Sequence, residues 1–178
     1  AILFTLYLAK YDLTKALLEH DPELDQFDLA ALNRHEELAI WLEKQGNKID
    51  QLTGDGFSAL HLACFFGALD CASLLVEKGA NVNIHADNPS DLRPIHSACA
   101  AGQGAIVSLL LKAGAKPNVI QAGGYTPLMA AASLGNAPVV EMLLDHGANK
   151  SIKSDDGRTA ADFAEAAGLS ALVERLKV

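Results

Sequence analysis

The chain has 178 residues, half of them hydrophobic and a fifth charged, with a formal net charge of −8 and a pI near 5.1. Such a composition suits one globular domain or one repeat array, and its acidity argues against nucleic acid or anionic lipid, which carry the same sign of charge. Three cysteines, Cys64, Cys71 and Cys99, form no secreted-type disulfide framework and read as reduced thiols of a cytoplasmic protein.

The first element is the apolar run AILFTLYLA, far short of the roughly 20 residues that cross a bilayer. It lacks a basic leader, although a trimmed signal peptide would end similarly. The register of the sequence downstream makes it a buried helix instead. Residues 1–24 fit a truncated helix pair, with Ala1 where later units carry proline and with Leu17, Leu18 and Asp21 in the slots of a recurring LL…G. Ile2, Leu3, Phe4, Leu6 and Leu8 then form a stacking face without its neighbour, which implies at least one earlier unit ahead of Ala1. The link DPELDQ is too short for a full hairpin. Residues 25–57 form a degenerate unit: Asp25 replaces a capping threonine, Asp28 a histidine and Arg34 the glycine closing the first helix, while Trp41 falls on a core position.

The pattern is plainest after residue 57. SALHLACFFG from Ser58, RPIHSACAAG from Arg93, TPLMAAASLG from Thr126 and TAADFAEAAG from Thr159 start 35, 33 and 33 residues apart. The glycines that follow each apolar pair, Gly46, Gly79, Gly114 and Gly147, are separated by 33, 35 and 33 residues. Two markers keeping one period identify an internal repeat: full units at 58–92, 93–125 and 126–158, and a C-terminal capping unit at 159–178. Each reads as helix, tight turn, helix, loop. Ser58, Thr126 and Thr159 can cap a first helix, and Pro94 and Pro127 sit in its first turn. Gly67, Gly102, Gly135 and Gly168 end it. The second helices carry apolar residues at helical spacing, such as Leu69, Ala72, Leu75 and Val76. Unit 58–92 contains two extra residues in IHADNPSDLR, where Arg93 replaces the capping threonine and Ser90 or Asp91 can supply a cap instead. Glu165, Glu174, Arg175 and Lys177 give the last unit the polar outer helix that a terminal cap requires.

SALHLA, RPIHSA and TPLMAA closely resemble the ankyrin signature T-P-L-H-x-A, and LLVEKGANVN, LLLKAGAKPN and LLDHGANKS resemble that family's second helix and loop. The resemblance covers almost the entire chain. It implies an all-α ankyrin-repeat solenoid of about six helix pairs with projecting β-hairpin loops, acting as a monomeric, cytoplasmic scaffold for a protein or peptide. It implies no cofactor, no metal, no catalysis, and neither nucleic-acid nor membrane binding. An alternative is a regulatory segment of a larger multidomain protein, docking within its own chain.

His61-x-x-Cys64 and His96-x-x-Cys99 invite a zinc reading. In the family the histidine ring bonds neighbouring loop backbone instead, and the cysteines occupy slots that hold Ala132 in another unit. Corresponding helices about 8–10 Å apart cannot place four ligands at ~2 Å from one ion without distortion. The same separation is too wide for a Cys64–Cys99 disulfide. GQG at 102–104 and GG at 123–124 are turn residues rather than phosphate loops, and no Ser, His and Asp converge.

The family's partner contacts lie on the concave surface, on the loops and at the two residues following L-x-x-A/C of each first helix. Carried over by position, they are Leu52, Phe57, Phe65, Phe66, His85, Leu92, Ile120, Tyr125, Leu134 and Arg158, with Ala100, Ala101, Ser133, Lys153 and Asp155 in the same series. Phe65-Phe66 replaces a commonly polar pair, one of which is expected to turn inward. With Phe57, Leu92, Ile120, Tyr125 and Leu134 it predicts an apolar stripe across about three units, the kind of patch that marks an interface.

Overall fold

The computed structural model describes residues 2–20, 22–45 and 48–177. Its helices come in six pairs: α1 (Ile2–Tyr7) and α2 (Tyr11–Leu18); α3 (Gln26–Ala31) and α4 (His35–Gln45); α5 (Ala59–Phe66) and α6 (Leu69–Glu77); α7 (Pro94–Ala100) and α8 (Gly104–Lys112); α9 (Pro127–Ser133) and α10 (Ala137–Asp145); α11 (Ala160–Ala166) and α12 (Ser170–Leu176). The first helices pack in series as an inner row from α1 to α11, and α4, α6, α8 and α10 pack in series behind them. The result is an all-α solenoid. Ala1, Asp21 and Gly46, which the sequence register uses as markers, lie outside the described residues.

Local chemistry sets the helix ends. The Ser58, Thr126 and Thr159 hydroxyls accept from the N–H groups of His61, Met129 and Asp162 at 3.3, 3.3 and 3.4 Å, and Asp25 accepts from Phe27 and Asp28 at 2.9 Å. Between the rows the core is aliphatic: Leu60, Ile95 and Leu128 from the inner helices meet Leu75, Leu110 and Leu143 from the outer ones, all fully buried. Ala63, Ala98, Ala131 and Ala164 have no exposed surface, so the inner helices approach closely.

Three expectations are corrected. The left-handed residue that closes α3 is Asn33 (φ 58°), not Arg34. Asparagine tolerates this region better than arginine. Its side chain is also used: Nδ2–H donates to Asp70 at 2.8 Å and Oδ1 accepts from the Cys71 N–H at 3.1 Å, capping α6 from the preceding unit. Neither Ser90 nor Asp91 caps α7. The Arg93 N–H donates to His96 Nδ1 at 3.0 Å, while Ser90 bonds Asn88 and Asp91 bonds His85. The apolar face of the first unit is also composed differently. Ile2 is buried and Leu3 and Leu6 pack on the core, leaving Phe4, Leu8, Tyr11 and Leu13 exposed. Trp41 packs against the core as its position implies but only half-buried, its other side lining an outer groove of about 260 Å³ with Pro22 and Ile40.

The loops are tight turns, with one isolated antiparallel bridge, Leu52–Ser58, and no strand among the described residues. Each closes on itself, as where Thr53 N–H meets the Phe57 carbonyl at 2.8 Å and Ala86 N–H meets that of Leu92 at 2.8 Å. Each tip is also tied to the next. Asp87, Ala122 and Asp155 donate their N–H to the carbonyls of Gly56, Ser90 and Gly123 at 2.9, 2.9 and 3.0 Å. Gly56 has φ +81°, and a Cβ there would lie 2.2 Å from the Asp87 carbonyl oxygen, so only glycine permits the crossing. At the loop bases Asn83 and Asn118 repeat one device: each amide oxygen accepts a backbone N–H of the following unit (Lys116 at 2.9 Å, Asn149 at 2.7 Å) and each Nδ2–H donates to a carbonyl there (Gly114, Gly147). The tips are therefore held in fixed register along the inner row.

Candidate functional site

His61 and His96 anchor the loops to the helices. Each Nδ1 accepts the N–H of the capping position, Ser58 at 3.2 Å and Arg93 at 3.0 Å. Each Nε2–H donates across to the next loop, to the carbonyls of Leu92 and Val119 at 3.2 Å. Burial depresses both rings to a pKa of about 4, so they are neutral at pH 7. With every ring nitrogen engaged, neither histidine has a lone pair for a metal. Burial likewise raises all three thiols, Cys71 and Cys99 to about 12, so none is a thiolate at pH 7. Asp28 takes the histidine's place in its unit, and burial together with the neighbouring Asp25 raises its carboxyl.

Around His61 the sequence-predicted surface residues assemble. Phe65 is 44% exposed, whereas Phe66 turns inward against the core, their rings meeting edge-on at 5.2 Å. Phe57 lies edge-on over His61 at 5.9 Å. Phe57, Phe65 and Leu92, with His61, Leu62, Ser97 and Tyr7, line a largely apolar pocket of about 120 Å³. Leu52 is half-buried at the bridge that precedes Phe57.

Tyr7 is the residue that sequence reasoning missed. Its ring lies 5.2 Å from Phe66 and 6.0 Å from Phe65, so α1 touches α5 two units away. The missing residue in α3 explains this reach: Leu32 holds the place equivalent to Phe65, and nothing stands at the place of Phe66. Tyr7 follows Ala1 by six residues just as Phe65 follows Ala59, so the register holds the signal, although the contact positions implied by the family resemblance begin at Leu52.

Farther along the stack lies a second cluster. Tyr125 is half-buried, edge-on to Phe163 at 5.8 Å, and the Arg158 guanidinium sits 4.2 Å over the Phe163 ring while paired with Asp156 at 2.6 Å. Between the clusters stands a polar group on the enlarged loop: His85 Nδ1–H donates to Asp91 at 2.7 Å, and Arg93 donates to His85 Nε2 at 2.7 Å and to the Ile120 carbonyl at 3.4 Å. Ile120 and Leu134 are 48% and 55% exposed. The expected stripe is thus two aromatic clusters with a charged relay between them.

A family profile described as ankyrin repeats (3 copies) matches residues 6–86, 27–121 and 95–177. Among curated proteins the chain is similar to human BCL-6 corepressor-like protein 1, 34% identical over 49% of this chain and 5% of that protein. It is also similar to mouse protein phosphatase 1 regulatory subunit 27, 30% identical over 52% of this chain and 58% of that protein. Ankyrin repeat and SOCS box protein 16 of mouse is 33% identical over 56% of this chain and 23% of its own length. The chain therefore spans less than two thirds of each of these relatives. With the profile matched along nearly its full length and the period, caps and loop-bonding histidines in place, the chain belongs to the ankyrin-repeat family.

Proposed function

We propose that this chain is a non-enzymatic scaffold of the cytoplasm that binds a protein or peptide on its concave surface, as a monomer and without cofactor. Ankyrin repeats are in general a protein-interaction fold, and its regulatory relatives fit that role. The observation that carries the placement is Phe65. A large aromatic side chain is left 44% exposed beside an apolar pocket, where solubility alone would favour a polar residue. The stack behind it is rigid and the tips are tied together, so a partner meets a preorganised surface and little entropy is lost in ordering it. The net charge of −8 speaks against nucleic acid and anionic lipid, and no described helix is long and apolar enough to cross a membrane.

A second reading has its own support. Phe4, Leu8, Tyr11 and Leu13 form an exposed apolar face, and the chain matches only 5% of the length of BCL-6 corepressor-like protein 1. On that reading the array is a regulatory segment docking on another part of a larger protein.

The test is affinity capture with the wild-type chain, with Phe65→Ser plus Ile120→Ser, and with Ile40→Ser on the outer surface as control. The scaffold reading expects the concave variant to lose its captured proteins at unchanged circular dichroism and the control to keep them. Equal capture by all three chains would overturn it.

A further inference from the structure

The pocket beside Phe65 has a charged setting. On the loops from residue 49 to 57 and from 84 to 92 the sequence holds four carboxylates, Asp50, Asp55, Asp87 and Asp91, and no Lys or Arg; of these Asp91 is paired with His85. Asp55 and Asp87 stand on neighbouring tips, which are joined by the Asp87 N–H to the Gly56 carbonyl at 2.9 Å and by Asn88 Nδ2–H to the Asp55 carbonyl at 2.8 Å. Both residues are exposed, and neither carboxylate has a salt-bridge partner among the described residues. Asp55 also lies close enough to the pocket for its charge to add to burial in raising the Tyr7 phenol. Arg93, the nearest arginine in sequence, is occupied by His85 and the Ile120 carbonyl. An apolar cavity of roughly 150 Å³ accommodates a benzene ring; the pocket of about 120 Å³ is smaller but open to the surface, so it takes one leucine-sized side chain or the inserted end of a larger one.

We propose, resting on the concave-surface reading above, that the pocket bounded by Tyr7, Phe57, Phe65 and Leu92 receives one large apolar side chain of an extended peptide whose flanking residues are basic and face Asp55 and Asp87. Apolar burial supplies the anchor, while the unpaired carboxylates steer approach and select for the sign of the flanks. A second copy of this chain is a poor occupant, since it would bring two acidic rims together.

A random twelve-residue peptide display library, panned on the whole chain, tests this. The expected winners carry Leu, Phe or Met at one fixed position with Lys or Arg within about three residues. Their affinity should fall about tenfold in Asp55→Lys plus Asp87→Lys and weaken steeply with added salt. Phe65→Ala should abolish it, with unfolding temperatures held as the control for folding. Winners with neutral or acidic flanks that still require Phe65 would overturn the basic-peptide proposal and leave the concave reading standing. Winners indifferent to Phe65 and to both aspartates, or none at all, would overturn both. A concentration-dependent dimer in light scattering, abolished by Phe65→Ala, would replace the peptide with a second copy.

Discussion

The two aromatic clusters along the inner helix row sit on the same scaffold and differ in how their rings are satisfied. At the C-terminal cluster Tyr125 meets Phe163 at 5.8 Å and Arg158 covers Phe163 at 4.2 Å, so the exposed π-face is already occupied by a cation. At the N-terminal cluster Tyr7, Phe57 and Phe65 line a pocket while Phe66 packs inward, no cation covers these rings among the described residues, and Phe65 remains 44% exposed. Charge follows the same division. Residues 116–158 carry four carboxylates and four Lys or Arg, whereas the loops at 49–57 and 84–92 carry four carboxylates and no Lys or Arg. The two clusters thus differ in exposure and charge rather than in aromatic content: the Phe163 ring is covered by a cation, whereas Phe65, although packed on Tyr7 and Phe66, keeps an exposed apolar surface beside a pocket.

The largest effect that separates the halves is acid sensitivity. The units starting at Ser58 and Arg93 carry buried neutral His61 and His96, depressed to about 4, whereas the next two carry Met129 and Asp162 at the same position. Because the unfolded histidines titrate near 6.5, their contribution is fully present above that pH and is lost as pH falls toward 4. It amounts to as much as about 3 kcal/mol for each ring. Hydrogen exchange at pH 5 against pH 7.5 should show residues 58–125 losing protection well before 126–177. Asp162, held low mainly by the Thr159 N–H, loses its contribution only at still lower pH. Uniform loss along the chain would count against the division.

Next is the join beneath the pocket. Gly56→Ala forces a Cβ into the Asp87 carbonyl at a left-handed φ, and about 2–4 kcal/mol of stability should be lost in urea unfolding. A substitution pair then contrasts the clusters directly. Phe163→Ala should cost about 2–3 kcal/mol with capture intact, because its ring packs against the core. Phe65→Ala should cost under about 1 kcal/mol and lose capture. The smallest change is a gain. Gln26 is buried, with neither side-chain polar atom hydrogen-bonded among the described residues, at the register position where Pro94 and Pro127 stand in other units. Asp25 before it is extended (ψ 178°), as a following proline requires. Gln26→Pro should raise the unfolding temperature by about 2–4 °C in calorimetry.

Much of this arrangement was legible because the repeat states its structure several times over. One period, capping residues at one offset and a left-handed glycine at another gave the six pairs, and the histidine role followed from the family signature. Legibility failed where a unit departs from its copies. In residues 25–57 neither Asn33 nor Arg34 is glycine, so the one-residue shortening of α3 left no mark, and with it went the reach of Tyr7 to Phe66. The enlarged loop offered Ser90 and Asp91 as caps by type, but their partners Asn88 and His85 lie within the loop itself. The loops were expected as projecting β-hairpins; among the described residues they are short turns closed by one or two bonds, with a single antiparallel bridge, and tied tip to tip. Which aromatics were free and which were covered depended on contacts between units, such as Arg158 over Phe163, that no single repeat encodes.

The most direct test is amide hydrogen exchange of the whole chain with and without a peptide selected on it. The account predicts new protection in residues 52–66 and 85–93, with the outer helices α4, α6 and α8 unchanged. Protection confined to those outer helices, or to residues 120–134 and 153–163 alone, would contradict it.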